Sequence, residues 1–156
     1  MDAIVWISIG FASGSIPWAI LVSKVFGRTD VRNIGDGNPG ATNAWKLAGW
    51  QAGMTTLALD IGKSAVPVYV ATQSMQPPSG ITSQIGLAAI ALSPIVGHAW
   101  SPFLHFSGGK ALASTWGSWI ALTGGLALPV GCILLGLFHS VQRNHAITVT
   151  LCIVGF

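Results

Sequence analysis

The chain has 156 residues, 51% of them hydrophobic and only 7% charged, with a formal net charge of +3 and no Glu. Soluble domains carry about 25% charged residues, so this composition excludes a water-facing globular surface and gives no basis for a nucleic-acid partner. It points to a single membrane domain over residues 1–156, and the 20 glycines fit that reading, because Gly is more frequent in membrane helices than in soluble ones.

In chain order, the first apolar segment runs from about Ala3 to Ser23 without an internal charge. A membrane span needs about 20 such residues. The segment lacks the basic start of a cleaved leader, so an uncleaved first span is expected. A polar stretch, Lys24 to Lys46, follows and is punctuated by Gly35, Gly37, Pro39 and Gly40. A second apolar stretch, Leu47 to Thr72, is interrupted by Asp60 and Lys63. Residues 73–82 carry no charge and read as a turn around Pro77 and Pro78. A third span covers about Ser83 to Val96, followed by the polar, glycine-rich segment Gly97 to Lys110. The run Ala111 to Ser140 reads as two short helices, broken at Thr123-Gly124-Gly125 and again at Pro129. Ile147 to Phe156 is apolar but shorter than a span. The expected fold class is therefore all-α: a polytopic integral membrane helical bundle of about five to six apolar segments with short re-entrant or interfacial elements.

Cys132 and Cys152 both lie in apolar stretches and read as small buried thiols. Trp45, Trp50 and Trp100 fall near span ends, where interfacial rings are common, whereas Trp116 and Trp119 are expected to pack between helices. Lys24, Arg28, Arg32 and Lys46 place the first polar loop in the cytoplasm by the positive-inside rule. The N-terminus is then outside, and both glycine-rich segments meet at the cytoplasmic face.

Three segments carry candidate chemistry. Gly35 to Asn43 opens a helix; glycines let backbone amides approach an oxyanion, and a helix N-terminus adds unpaired N–H groups and a favourable dipole. Gly35, Asp36, Gly37, Asn38, Gly40, Thr42 and Asn43 are the candidates there, against the plainer reading of an interfacial loop with turn glycines. In the second segment Gly108 and Gly109 precede Lys110, a point charge suited to a phosphate or a snorkelling anchor. His98 reads as a proton carrier or as a hydrogen-bonded interfacial histidine. Third, Asp60 and Lys63 stand three residues apart inside an apolar stretch, where ionisable groups pair with each other or serve function.

Together these segments resemble the bacterial acyl-phosphate:glycerol-3-phosphate acyltransferase family. That family has a small-residue patch similar to Ser13-Gly14-Ser15-Ile16-Pro17, then a loop similar to Gly35–Asn43, an Asp-x-x-Lys-Gly motif similar to Asp60–Ser64, and a Gly-His to Gly-Gly-Lys-Gly motif similar to Gly97–Ala111. The resemblance implies a multi-pass protein of the bacterial inner membrane that moves an acyl group from acyl phosphate to the primary hydroxyl of glycerol 3-phosphate, forming lysophosphatidic acid and phosphate. It implies catalytic roles for Lys110, His98 and Asn43. Phosphate binding falls to Gly35, Asp36, Gly37, Asn38, Gly40, Thr42, Lys46, Gly108 and Gly109, and supporting roles to Ser15, Asp60 and Lys63. No metal or other cofactor is implied; the partners are the two substrates, membrane lipid and the enzyme that makes acyl phosphate.

The chain departs from the family pattern at several positions. Asp36 stands where the family has Ser, and an ionised carboxylate there repels phosphate unless a cation pairs with it. Lys46 replaces an Arg and loses its bidentate fork. Ser64 and Ala111 replace glycines, and Asn144 and Ala146 replace a Tyr and a Ser in a segment similar to Arg143–Ile147. The family's C-terminal segment bearing His and Asn has no counterpart before Phe156, which suggests a truncated or shortened relative. The alternatives these departures raise are a reduced-activity or non-catalytic relative that binds acyl phosphate or phospholipid, and, drawing on Asp60 and Lys63, a small transporter.

Overall fold

The computed structural model describes residues 2–27, 29–77 and 79–141. Among them are seven α-helices, two short 3-10 turns and no strand: α1 (Ala3–Gly14), α2 (Trp18–Val25), α3 (Ala41–Ala48), α4 (Trp50–Ser74), α5 (Ile81–Ala99), α6 (Leu112–Leu122) and α7 (Ala127–Val141). The all-α membrane bundle expected from composition is thus the observed architecture. Ala3–Val25 and Ile81–Leu104 are long and apolar enough to cross a bilayer. α4, with 25 residues, has the length as well, about 37 Å at 1.5 Å per residue. Large apolar side chains such as Ile4, Val66, Leu92 and Ile133 are exposed around the bundle, as lipid-facing surfaces require.

Four boundaries differ from the sequence expectation. The first span is broken at residues 15–17, separating α1 from α2. Gly49, at φ +89°, interrupts the second stretch between α3 and α4. The third helix is longer than expected, reaching from Ile81 to Ala99. Pro129 does not break α7 but sits in its first turn, where a missing N–H costs nothing. The break between α6 and α7 falls at Gly124 and Gly125, both at positive φ.

Glycines let the helices approach closely. A Cβ at Gly14 would overlap the backbone of Pro94, one at Gly97 the carbonyl of Phe11, and one at Gly117 the carbonyl of Ile61. The first two join α1 to α5 and the third joins α6 to α4, the small-residue packing that membrane helices use in place of a hydrophobic driving force.

Backbone groups freed inside the bundle find partners, as a low-dielectric interior demands. Pro94 in α5 lacks the N–H that would bond the carbonyl of Ile90, and the Ser93 hydroxyl donates to that oxygen at 2.8 Å. Pro67 in α4 likewise frees the carbonyl of Lys63, which accepts from the Ser13 hydroxyl of α1 at 2.7 Å. The α1–α2 break is held from both sides. Lys63 Nζ donates to the Ile16 carbonyl at 2.9 Å, and Ser101 Oγ donates to the Ser15 carbonyl at 2.6 Å.

Cys132, expected to be buried, is exposed on α7. An apolar segment in a membrane protein can bury its side chains against lipid rather than protein, so hydrophobicity alone did not decide this. Trp116 and Trp119 pack edge to face, with ring centroids 5.6 Å apart, and Trp45, Trp50 and Trp100 are exposed near helix ends.

Candidate functional site: a glycine cradle above a buried ion pair

The first glycine-rich segment folds into a compact loop before α3. Gly35 and Gly37 adopt φ of +62° and +73°, conformations that glycine takes without steric cost. Asn43, buried in the first turn of α3, staples the loop: its amide donates to the Ile34 carbonyl, to Asp36 Oδ1 and to the Asn38 carbonyl, at 2.9, 2.9 and 3.0 Å. Asp36 Oδ1 also accepts from the Asn38 N–H at 3.2 Å. The first-turn amides of α3 have no intrahelical partner, and its cap residue, Gly40, offers no side-chain acceptor to them.

The second segment folds back onto the end of α5. The Gly108 N–H donates to the Ala99 carbonyl at 3.0 Å and the Gly109 N–H to the His98 carbonyl at 3.1 Å. Carbonyls at a helix C-terminus lack partners within the helix, and this loop supplies them. The approach is so close that a Cβ at Gly108 would overlap both carbonyls, and one at Gly109 would meet the His98 ring. Both glycine amides are therefore engaged with protein carbonyls rather than open to an anion, and the tight packing delivers Lys110 to the first loop. The next residue, Ala111, is held at φ +58°, a left-handed conformation that strains any side chain.

The two segments meet through Lys110. Its backbone N–H donates to Asn38 Oδ1 at 3.1 Å, and its ammonium lies 2.6 Å from Asp36 Oδ2. The ammonium, then the Asn43 amide and the Asn38 N–H, hold the Asp36 carboxyl well below the usual carboxylate range. The repulsion expected from an ionised Asp36 is thus met by a paired cation. A second surface pair, Arg32 with Asp30 at 2.7 Å, closes the 3-10 turn before the loop and lowers the Asp30 carboxyl through the Arg32 hydrogen bond.

A buried polar layer lies beneath. Lys63 Nζ is 2.8 Å from Asp60 Oδ1, and His98 Nδ1 stands 3.8 Å from the same oxygen, beyond hydrogen-bond distance. All three side chains are buried. A narrow recess lined by Ser15, Pro17, Pro39, Lys63, His98 and Gly109 joins this layer to the cradle.

Gly35, Asp36, Gly37, Asn38, Gly40 and Asn43 are therefore brought together with Gly108, Gly109 and Lys110. Ser15, Asp60, Lys63 and His98 lie in the layer below. Thr42 and Lys46 are exposed on α3, and neither side chain forms a hydrogen bond or ion pair with the cradle. Ser13, Ser93 and Ser101 were not singled out in the sequence for the hydrogen bonds they make, although Pro67 and Pro94 carry a signal for two of them, since a proline inside a helix leaves a carbonyl to be satisfied. Arg28, Arg143–Ile147, Cys152 and the apolar run 147–156 lie outside the described residues.

Comparison with known proteins identifies the family. The model of the glycerol-3-phosphate acyltransferase family matches residues 4–156. Glycerol-3-phosphate acyltransferase 1 of Thermotoga maritima is 37% identical over 147 residues, covering 91% of this chain and 70% of that protein. A glycerol-3-phosphate acyltransferase of Neisseria meningitidis is 39% identical over 147 residues, covering 93% and 72%. One from Leptospira borgpetersenii is 36% identical over 132 residues, with 85% of this chain covered but only 56% of the relative. The crystal structure of PlsY (YgiH), an integral membrane glycerol 3-phosphate acyltransferase, in its glycerol 3-phosphate form superposes with a TM-score of 0.84 at 26% identity, covering 97% of this chain and 72% of that one. With the family model matched over residues 4–156, relatives at 37% and 39% identity, and an integral membrane acyltransferase sharing the fold, the chain belongs to the glycerol-3-phosphate acyltransferase family.

Proposed function

We propose that this chain catalyses acyl transfer from acyl phosphate to the primary hydroxyl of glycerol 3-phosphate at the glycine cradle. The observation that carries the site assignment is the contact of Lys110 with Asn38 and Asp36, residues 72 and 74 positions away in sequence. It assembles one cation, the open amides at the start of α3 and two glycine turns in one exposed place. In this reading the hydroxyl oxygen attacks the acyl carbon, the bond from that carbon to the phosphate oxygen breaks, and the released phosphate takes up the hydroxyl proton. Acyl phosphate is already activated, so positioning and electrostatic stabilisation suffice. Lys110 supplies positive charge to the phosphate as its negative charge grows, while Thr42 and Lys46, exposed on α3, flank the approach. Asn43, Gly108 and Gly109 act by shaping the cradle, and Asp60, Lys63 and His98 by supporting it from below.

The membrane placement in this proposal has the N-terminus outside and the cradle on the cytoplasmic side of the bacterial inner membrane, close to the enzyme that makes acyl phosphate. The clustering of Lys24, Arg32, Lys46 and Lys110 at the cradle end of the bundle, against the uncharged turn between α4 and α5, supports it. The acyltransferase names of the relatives favour this reading over a non-catalytic relative, and the direct pairing of Asp60 with Lys63 favours a structural ion pair over a transport pathway.

The test supplies acyl phosphate and labelled glycerol 3-phosphate to purified protein in detergent. Lysophosphatidic acid formation that is lost in Lys110→Ala supports the site; turnover indifferent to that change removes Lys110 from it. For orientation, Ser107→Cys should react with an impermeant thiol reagent only from the cytoplasmic side and Gln76→Cys only from outside.

A further inference from the structure

We infer that Asp36 is a built-in anion that occupies the glycine cradle and sets how strongly the cradle takes a phosphate ester. This rests on the acyltransferase reading above and concerns the same site. The Asp36 carboxylate draws on three donors: the Lys110 ammonium at 2.6 Å, the Asn43 amide at 2.9 Å and the Asn38 backbone N–H at 3.2 Å. An ammonium, a side-chain amide and a loop N–H are the donor types that bind a phosphate oxygen. A phosphate that engages Lys110 must therefore displace the carboxylate from it or sit against its negative charge.

The pair is built for exchange. The Asp36 and Lys110 side chains are 51% and 67% exposed, and an exposed ion pair is worth little enough to be broken by a competing anion. The loop itself survives the exchange, because Asn43 also holds the carbonyls of Ile34 and Asn38. The Lys110 backbone stays fixed through Asn38 Oδ1, so only the Lys110 side chain has to turn from carboxylate to phosphate.

The experiment compares the wild-type chain with Asp36→Asn, which keeps an acceptor oxygen for Asn38 and Asn43 but loses the charge, and with Asp36→Ser. Michaelis constants for glycerol 3-phosphate and acyl phosphate are measured in detergent, alongside calorimetric binding of inorganic phosphate. The expected result is a fall of about two- to fivefold in at least one Michaelis constant in both variants, the range set by the strength of an exposed ion pair, together with tighter phosphate binding. Michaelis constants that stay the same or rise, with phosphate binding no tighter, overturn the inference and leave Asp36 as a scaffold of the loop. Absence of turnover in the wild type and both variants overturns the acyltransferase reading instead. Phosphate binding then decides the inference alone: tighter in Asp36→Asn supports it, equal or weaker overturns it.

Discussion

Asp60–Lys63 and Asp36–Lys110 are ion pairs of nearly equal length, 2.8 and 2.6 Å, in opposite surroundings. The first lies between the helices with both side chains 3% exposed, whereas the second stands at least half open to solvent. Geometry does not separate them; burial does. Removing one member of a buried pair strands a charge in a medium that cannot solvate it. Removing one member of an exposed pair leaves the other to water. The buried pair therefore bears on whether the bundle holds together, and its Lys63 also caps the Ile16 carbonyl at the α1–α2 break. The exposed pair bears on what the cradle binds.

The largest expected effect tests the buried side of this contrast. Lys63→Met strands Asp60 and frees the Ile16 carbonyl, and should cost about 3–5 kcal/mol, seen as a sharp fall in the unfolding midpoint in detergent. The double variant Asp60→Asn/Lys63→Met should recover much of that loss. A single variant as stable as the wild type would erase the distinction between the two pairs.

On the exposed side, Lys110→Ala should lower turnover by about 100-fold or more, the scale of losing one electrostatic contact to developing charge, with the unfolding midpoint little changed. A matching loss of stability would mean that Lys110 belongs with the structural pair.

Between these extremes stands Ser13→Ala. It leaves the Lys63 carbonyl, freed by Pro67, without its hydroxyl donor, and should destabilise the bundle by about 1–3 kcal/mol in the same thermal assay. A silent Ser13→Ala would mean that the freed carbonyl finds another donor.

A smaller, opposite change is expected at the cradle's edge. Ala111→Gly relieves a left-handed backbone at φ +58° and should stabilise by about 1 kcal/mol, raising the midpoint by a few degrees. A lowered midpoint would place the strain elsewhere.

The smallest effect is on pH dependence. The Lys110 ammonium beside it holds the folded Asp36 carboxyl well below the ordinary carboxylate range, so the favourable effect of its charge is complete above that range and fades only as pH falls below it. Asp36→Asn should accordingly leave the shape of the activity–pH curve between pH 5 and 8 unchanged; a new inflection there would assign Asp36 a titrating role.

Much of this is legible in the sequence. Low charge, absent Glu and runs of about 20 apolar residues require a membrane bundle, because such a surface cannot face water. The spacing of Asp60 and Lys63 on a helix allowed them to neutralise each other, and they do. The glycine loop Gly35–Asn43 marked the opening of a helix, which the structure starts at Ala41, ahead of the apolar stretch expected from Leu47, and the apolar run from Ala111 marked the start of α6 at Leu112. Other features depend on neighbours distant in sequence. The α1–α2 break exists because Lys63 and Ser101 reach it with donors, and hydropathy averaged along Ala3–Ser23 carries no trace of those partners. Gly108 and Gly109 read as amides for an anion, yet their amides are spent on the end of α5, since a helix C-terminus nearby offered unpaired carbonyls. An ionised Asp36 repels phosphate unless a cation pairs with it. The sequence by itself determined that a carboxylate stands in the glycine loop; only the tertiary structure decided that Lys110 lies on it. The reason is that a charge pair is set by distance in space, and two residues 74 positions apart are brought to 2.6 Å by the folding of α3, α4 and α5 between them.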